Sequence, residues 1–192
     1  MKLHFMGKYN GNADSLPSKP HREGAVAFKE PKDMKTLAIV ANVIALILTV
    51  LFLIPAFIRY SMFDHYFSVM IGALLTLVIL YPHELLHAIC FREDAYVYSN
   101  LKQGLMFVFG AEDMTKARFV FMSLLPNILL GLIPYVLGLL VPQLQIAAFF
   151  GAIALGSGAG DYMNVFNALT QVPKGALIYM YGVNSFWYKP QK

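Results

Sequence analysis

Within an apolar run of the chain stand His83-Glu84-Leu85-Leu86-His87, an H-E-x-x-H pattern. On a helix, residues four apart lie one above the other on the same face, so His83 and His87 can each offer an imidazole nitrogen to one metal ion. Glu84 is rotated around the helix from His83, where it reaches a water at the metal without ligating the metal. Zinc suits this arrangement, because it lowers the pKa of a water toward neutrality and polarises a carbonyl. A glutamate beside that water can take its proton and later pass it to a leaving amine. The pattern predicts peptide-bond hydrolysis by a zinc-activated water with Glu84 as general base. The competing reading is a chance match whose histidines are hydrogen-bonded in a core. Three ionisable groups within two turns of an apolar stretch are costly without a partner or a task, and that favours the metal.

Catalytic zinc usually has three protein ligands and one open position. Four apolar stretches are long enough to cross a bilayer at about 20 residues each: about Thr36 to Ile58, Phe67 to Cys90, Phe119 to Val141 and Leu144 to Leu169. Apart from the motif, Asp161 is their only Asp, Glu, Lys, Arg or His. It closes Gly156-Ser-Gly-Ala-Gly-Asp161, whose small residues allow close helix approach. At a helical rise of 1.5 Å per residue the histidines lie roughly 5–10 Å from one end of their stretch and Asp161 roughly 12 Å from the same end of its own. Asp161 is therefore the expected third ligand; the alternative is a packing carboxylate or one that orients a ligating histidine. Asn127, in Ser123-Leu-Leu-Pro-Asn127, falls at a similar depth, where it could hold substrate or stabilise an oxyanion, or bond a neighbouring helix. Asn164 faces the same choice. Cys90 shares a face with His87, but a lone cysteine at a helix end is ordinarily a small apolar residue. His4, His21 and His65 lie in polar segments and are expected to be solvated.

The composition demands an apolar solvent. Of 192 residues, 58% are hydrophobic and 14% charged, against about 25% charged in soluble domains, and the mean hydropathy is +0.57. Such a chain would expose apolar patches that soluble monomers avoid. The net charge of +4 sits in scattered loop lysines and arginines without interleaved aromatics, which argues against nucleic-acid binding. One cysteine excludes an intrachain disulfide. Residues 1–35 carry no apolar core of a signal peptide and read as a polar lead-in, followed by a four-helix region over 36–170 and a tail over 171–192. Lys and Arg concentrate in the lead-in, in the segment between stretches two and three (Arg92, Lys102, Lys116, Arg118) and in the tail (Lys174, Lys189, Lys192), whereas the two other loops hold only Arg59. The positive-inside rule then predicts a multi-pass protein of the cell membrane with both termini cytoplasmic. Within the middle loop, Ala95-Tyr-Val-Tyr-Ser99 and Leu105-Met-Phe-Val-Phe109 are β-prone runs joined by Asn100-Leu-Lys-Gln-Gly104, a hairpin in pattern. It would serve as a lid over apolar helix ends, or as an edge strand pairing with an extended substrate.

With His83-Glu-Leu-Leu-His87, Ser123-Leu-Leu-Pro126 and Gly160-Asp161 in apolar stretches, the chain resembles, from roughly Thr36 to Tyr188, a family of small bacterial membrane zincin peptidases, similar in turn to site-2 proteases. The resemblance implies zinc at His83 and His87, Glu84 as catalytic residue and Asp161 as the distal carboxylate ligand. Site-2 proteases tend to carry Leu-Asp-Gly there, whereas here Tyr162 follows Asp161. The expectation is an all-α membrane protein of four transmembrane helices with a small cytoplasmic β-hairpin between helices 2 and 3. Its substrate would be a peptide or a membrane protein. A non-catalytic protein with a structural metal is the main rival; against it, Glu84 is superfluous to a structural site, and closed zinc sites usually use four ligands. A metal-ion carrier is disfavoured because one cluster does not trace a path across a bilayer.

Overall fold

Asp33 starts the first long helix by accepting the Thr36 N–H at 2.9 Å, which satisfies a donor that every helix start leaves open. Helix α1 then runs Met34–Arg59. The computed structural model describes residues 2–61, 65–100 and 105–190; Lys102 and Gly104 of the expected hairpin turn, and Lys192 of the tail, lie outside them. One side of α1 exposes Ile39, Val43, Leu46, Ile47 and Val50. The other packs on α6 (Gln145–Ser157), where Gly156 comes so near Thr49 that a Cβ would meet its Oγ1 at 1.9 Å.

The second apolar stretch is two helices, α2 (Tyr66–Val78) and α3 (Leu80–Ala88), bent by 42°. Pro82 accounts for the position of the break. Its ring clashes with the carbonyl four residues back and it has no N–H to offer that carbonyl, which belongs to Val78, the last residue of α2. The third stretch continues unbroken from Lys116 to Leu140 as α4 (Lys116–Pro126), a π-helical turn (Asn127–Leu132) and α5 (Ile133–Leu140). In the fourth, α6 gives way at Gly158 to α7 (Ala159–Gln171), with a bend of 51°. Among the described residues, α1 and the Lys116–Leu140 helix are long and apolar enough to cross a membrane, and up to four spans result if each bent pair is one span.

The expected hairpin is present: β3 (Ala95–Asn100) and β4 (Leu105–Phe109) run antiparallel. The β content nevertheless exceeds what an all-α fold with one hairpin would hold. β1 (Leu3–Lys8) pairs parallel with β3, giving the order β1-β3-β4 with β4 at an edge. A second sheet has the order β2-β7-β6-β5, from Val26–Ala27, Asn184–Tyr188, Leu177–Tyr181 and Met114–Thr115. The protein is mostly helical with some strands. The additional strands lie in segments read from their charge as lead-in (β1, β2), middle loop (β5) and tail (β6, β7). For β1 and β2 the partners are distant, Leu3 opposite Ala95 and Val26 opposite Trp187, so no local turn signal announces them, whereas β6 and β7 pair with each other across a turn at Gly182. Phe28, Phe91, Phe119, Met122 and Ile178 form the core that joins the second sheet to α4. His21 is exposed, as expected, while its ring packs on Tyr181 and Phe186 and bonds the Tyr179 hydroxyl at 2.9 Å.

Candidate metal centre

Restarted by the break before Pro82, α3 turns its motif toward the first turn of α7. His83 Nε2 lies 3.1 Å from Asp161 Oδ2, and His87 Nε2 lies 3.1 Å from Asp161 Oδ1. His83, Glu84 and His87 each offer a ligand atom, all within 4.8 Å of one another. His87 Nδ1 is 2.9 Å from the Met122 carbonyl. A carbonyl only accepts, so Nδ1 carries the hydrogen. If that imidazole is neutral, its Nε2 presents a lone pair to a carboxylate oxygen, a conflict that a cation between them, or a second proton on His87, resolves. Two imidazole nitrogens and a carboxylate are the donor set of catalytic zinc, and the residues present fit the ion.

Asp161 is held in place from α4. Asn127 Nδ2 donates to Asp161 Oδ2 at 2.7 Å and to the Ser123 carbonyl at 3.0 Å. Both partners accept only, so the amide nitrogen must face them, and Oδ1 lies against Gly158, where a Cβ would be 1.7 Å away. The glycine at the α6–α7 break thus makes the room that Asn127 occupies. Glu84 is buried beside the two histidines. A cavity of about 320 Å³ lies over the cluster, walled in part by Leu37 and Ala41 of α1, Met106 and Phe107 of β4, and Met163 of α7.

The far end of the motif helix is also tied down. Arg118 donates to the Cys90 carbonyl from Nε at 3.0 Å and from a terminal nitrogen at 2.6 Å, and it pairs with Glu112. The other Glu112 oxygen accepts the Arg92 and Glu93 N–H groups at 2.8 and 2.6 Å. These residues escaped the sequence reading, which used the arginines only as loop charge; an acid and a base flanking the foot of the motif helix were the available signal. Cys90 stands apart from the cluster, its thiol turned to the Leu86 carbonyl at 3.5 Å. Asn164 lines the cavity. His4 stacks on Tyr96, and His65 packs against Tyr60.

Residues 74–177 match the family described as "Putative zincin peptidase", a match that spans more than half of the chain and contains the motif helix, Asn127 and Asp161. The chain belongs to this family. No curated protein and no solved structure matches it. Zincins are zinc peptidases, so membership points to zinc and to peptide hydrolysis at that level, and the group of His83, Glu84 and His87 offers such an ion a place in this zincin.

Proposed function

We propose that this zincin is a membrane-embedded metallopeptidase of four spans, with His83, His87 and Asp161 as zinc ligands and Glu84 as general base. One observation carries the reading: a single Asp161 carboxylate faces both histidine Nε2 atoms at 3.1 Å, while Glu84 lies buried next to them. Three ligands and a separate base are the division of labour that hydrolysis needs.

When bound, zinc supplies an acidified water and a polarised carbonyl. The remaining work falls to the chain. Glu84 takes a proton as the water oxygen bonds the carbonyl carbon and the π pair moves onto the carbonyl oxygen. When the C–N bond breaks, Glu84 returns that proton to the amine nitrogen, leaving a carboxylic acid and an amine. Asn127, with its amide nitrogen committed to Asp161 and Ser123, acts as a positioning residue. β4, an edge strand of its sheet among the described residues, lies beside the cavity and suits an extended peptide paired through its backbone. Apolar walls such as Leu37 and Met163 suit apolar side chains.

The membrane reading is supported by the apolar residues exposed on α1 and by the strand pairings. Lead-in, middle loop and tail share two sheets, which requires an even number of crossings on each side of the middle loop. Four spans meet that requirement if each bent pair crosses once. Loop charge then assigns the sheets to the cytoplasm. The test is elemental analysis together with proteolysis of labelled casein in detergent. Wild type should hold one zinc per chain, lost in His83→Ala and His87→Ala. Glu84→Gln should keep the zinc and lose activity by about 10²-fold or more. Zinc-loaded Glu84→Gln that cleaves as fast as wild type would make the metal structural and overturn the proposal.

A further inference from the structure

Helix α4 reaches the site with a gap in its hydrogen-bond ladder. In an α-helix each N–H bonds the carbonyl four residues earlier, and proline has none to give, so Pro126 leaves the Met122 carbonyl without that bond. Met122 O is the atom that faces His87 Nδ1 at 2.9 Å. The next carbonyl is diverted in a related way. The Asn127 N–H bonds Leu124 O rather than Ser123 O, and Ser123 O takes the Asn127 side-chain amide at 3.0 Å. The chain then enters its π-helical turn, with the Ile133 N–H bonding Ile128 O. Buried carbonyls rarely go unpaired, and here the groups that satisfy both belong to the metal centre.

We infer that Pro126 is a positioning residue of this centre. By withholding an N–H from the ladder, it keeps the Met122 carbonyl open to hold His87 Nδ1, and so aims His87 Nε2 at Asp161. The inference rests on the reading of His87 as a zinc ligand. A ligating histidine is oriented through its second nitrogen, and loss of that partner weakens metal binding by about 10–100-fold. Alanine is the better helix former by a wide margin, and Pro126 is fully buried inside the helix, so helix propensity offers no reason for the proline. Its missing N–H does.

The test uses the full-length protein in detergent. Pro126→Ala restores an N–H that competes for Met122 O. Zinc affinity, measured by chelator competition, should fall by about 10–100-fold, while the melting temperature of the metal-free protein stays level or rises. The His87 Nδ1–H resonance of the metal-free wild type, slow to exchange because it is bonded and buried, should disappear. Pro126→Gly restores the same N–H with a poor helix former, so zinc affinity should fall by a similar factor although the melting temperature drops. Pro55→Ala, a like change in α1, should leave zinc affinity unaltered. If both variants at 126 bind zinc within about twofold of wild type while His87→Ala binds none, the role of Pro126 is refuted and His87 remains a ligand. Zinc affinity that tracks melting temperature across the variants would make Pro126 a packing residue only and also refute it. A wild type that binds no zinc would overturn the ligand reading itself.

Discussion

Asn127 gives one amide nitrogen to two acceptors, Asp161 Oδ2 and Ser123 O, and that geometry changes its expected part. A free amide in the cavity could have met an oxyanion; a committed one, on the proposed reading, holds the Asp161 carboxylate. Asn127→Ala should therefore weaken zinc binding by about 10–100-fold, read by chelator competition, with kcat near wild type once zinc is saturating. Retained affinity with kcat down by about 10²-fold would restore the oxyanion role. His83, Glu84 and His87 were legible in the sequence because their relation is local: a spacing of four makes one helical face whatever else the chain does. Asp161 was reachable by its rarity in apolar stretches. Its bond to Asn127 joins two helices and has no signature in either segment.

Between the elements, two breaks place the chemistry. Pro82 ends α2 at Val78 and lets the motif helix start afresh, and Gly158 separates α6 from α7 so that Asn127 can enter. Gly158→Ala would put a Cβ 1.7 Å from Asn127 Oδ1. The expected cost is about 1–3 kcal/mol of stability, the usual range for overpacking, seen as a lower melting temperature together with weaker zinc binding. Gly160 has open space where its Cβ would lie, so Gly160→Ala should affect zinc binding far less, and equal effects would show that the contact with Asn127 is not what matters at Gly158. The bends themselves were hidden in the sequence, because hydropathy runs straight through Ile79 and Gly158 and only proline chemistry marks one of them.

Across the whole molecule, the lead-in and the tail are bound to the helices by part-buried polar groups. Glu30 accepts the Ser185 N–H at 2.6 Å and the side-chain amides of Asn184 and Asn167 at 3.3 and 3.5 Å. Burial pushes its carboxyl above the ordinary glutamate range, so the fold favours the protonated form. That contribution is complete below the unfolded value, about 4.3, and is lost as pH rises through the raised folded value. Between about pH 4 and pH 7 the wild-type melting temperature should fall relative to Glu30→Gln, which does not titrate. Parallel melting curves would show that the Glu30 carboxyl is unshifted. Orientation is tested by single cysteines in a Cys90→Ser background in sealed cells. Lys19→Cys should be shielded from an impermeant thiol reagent, and Gln143→Cys, in the loop before α6, should react. Labelling of Lys19→Cys from outside would invert the proposed topology.

What the sequence by itself determined is what short-range chemistry dictates: the face that His83 and His87 share, the apolar stretches that form the helices, the β3–β4 hairpin and the rare carboxylate at 161. Each follows from residue type, spacing or periodicity within a single segment. The tertiary structure alone decided which distant groups meet. It paired β1 with β3 and β2 with β7, set Arg118 and Glu112 at the foot of α3, and turned the carbonyl freed by Pro126 toward His87. A proline in a helix announces that a carbonyl lacks its donor, but the donor that replaces it is chosen by packing between helices, and that choice is made only when the chain is folded.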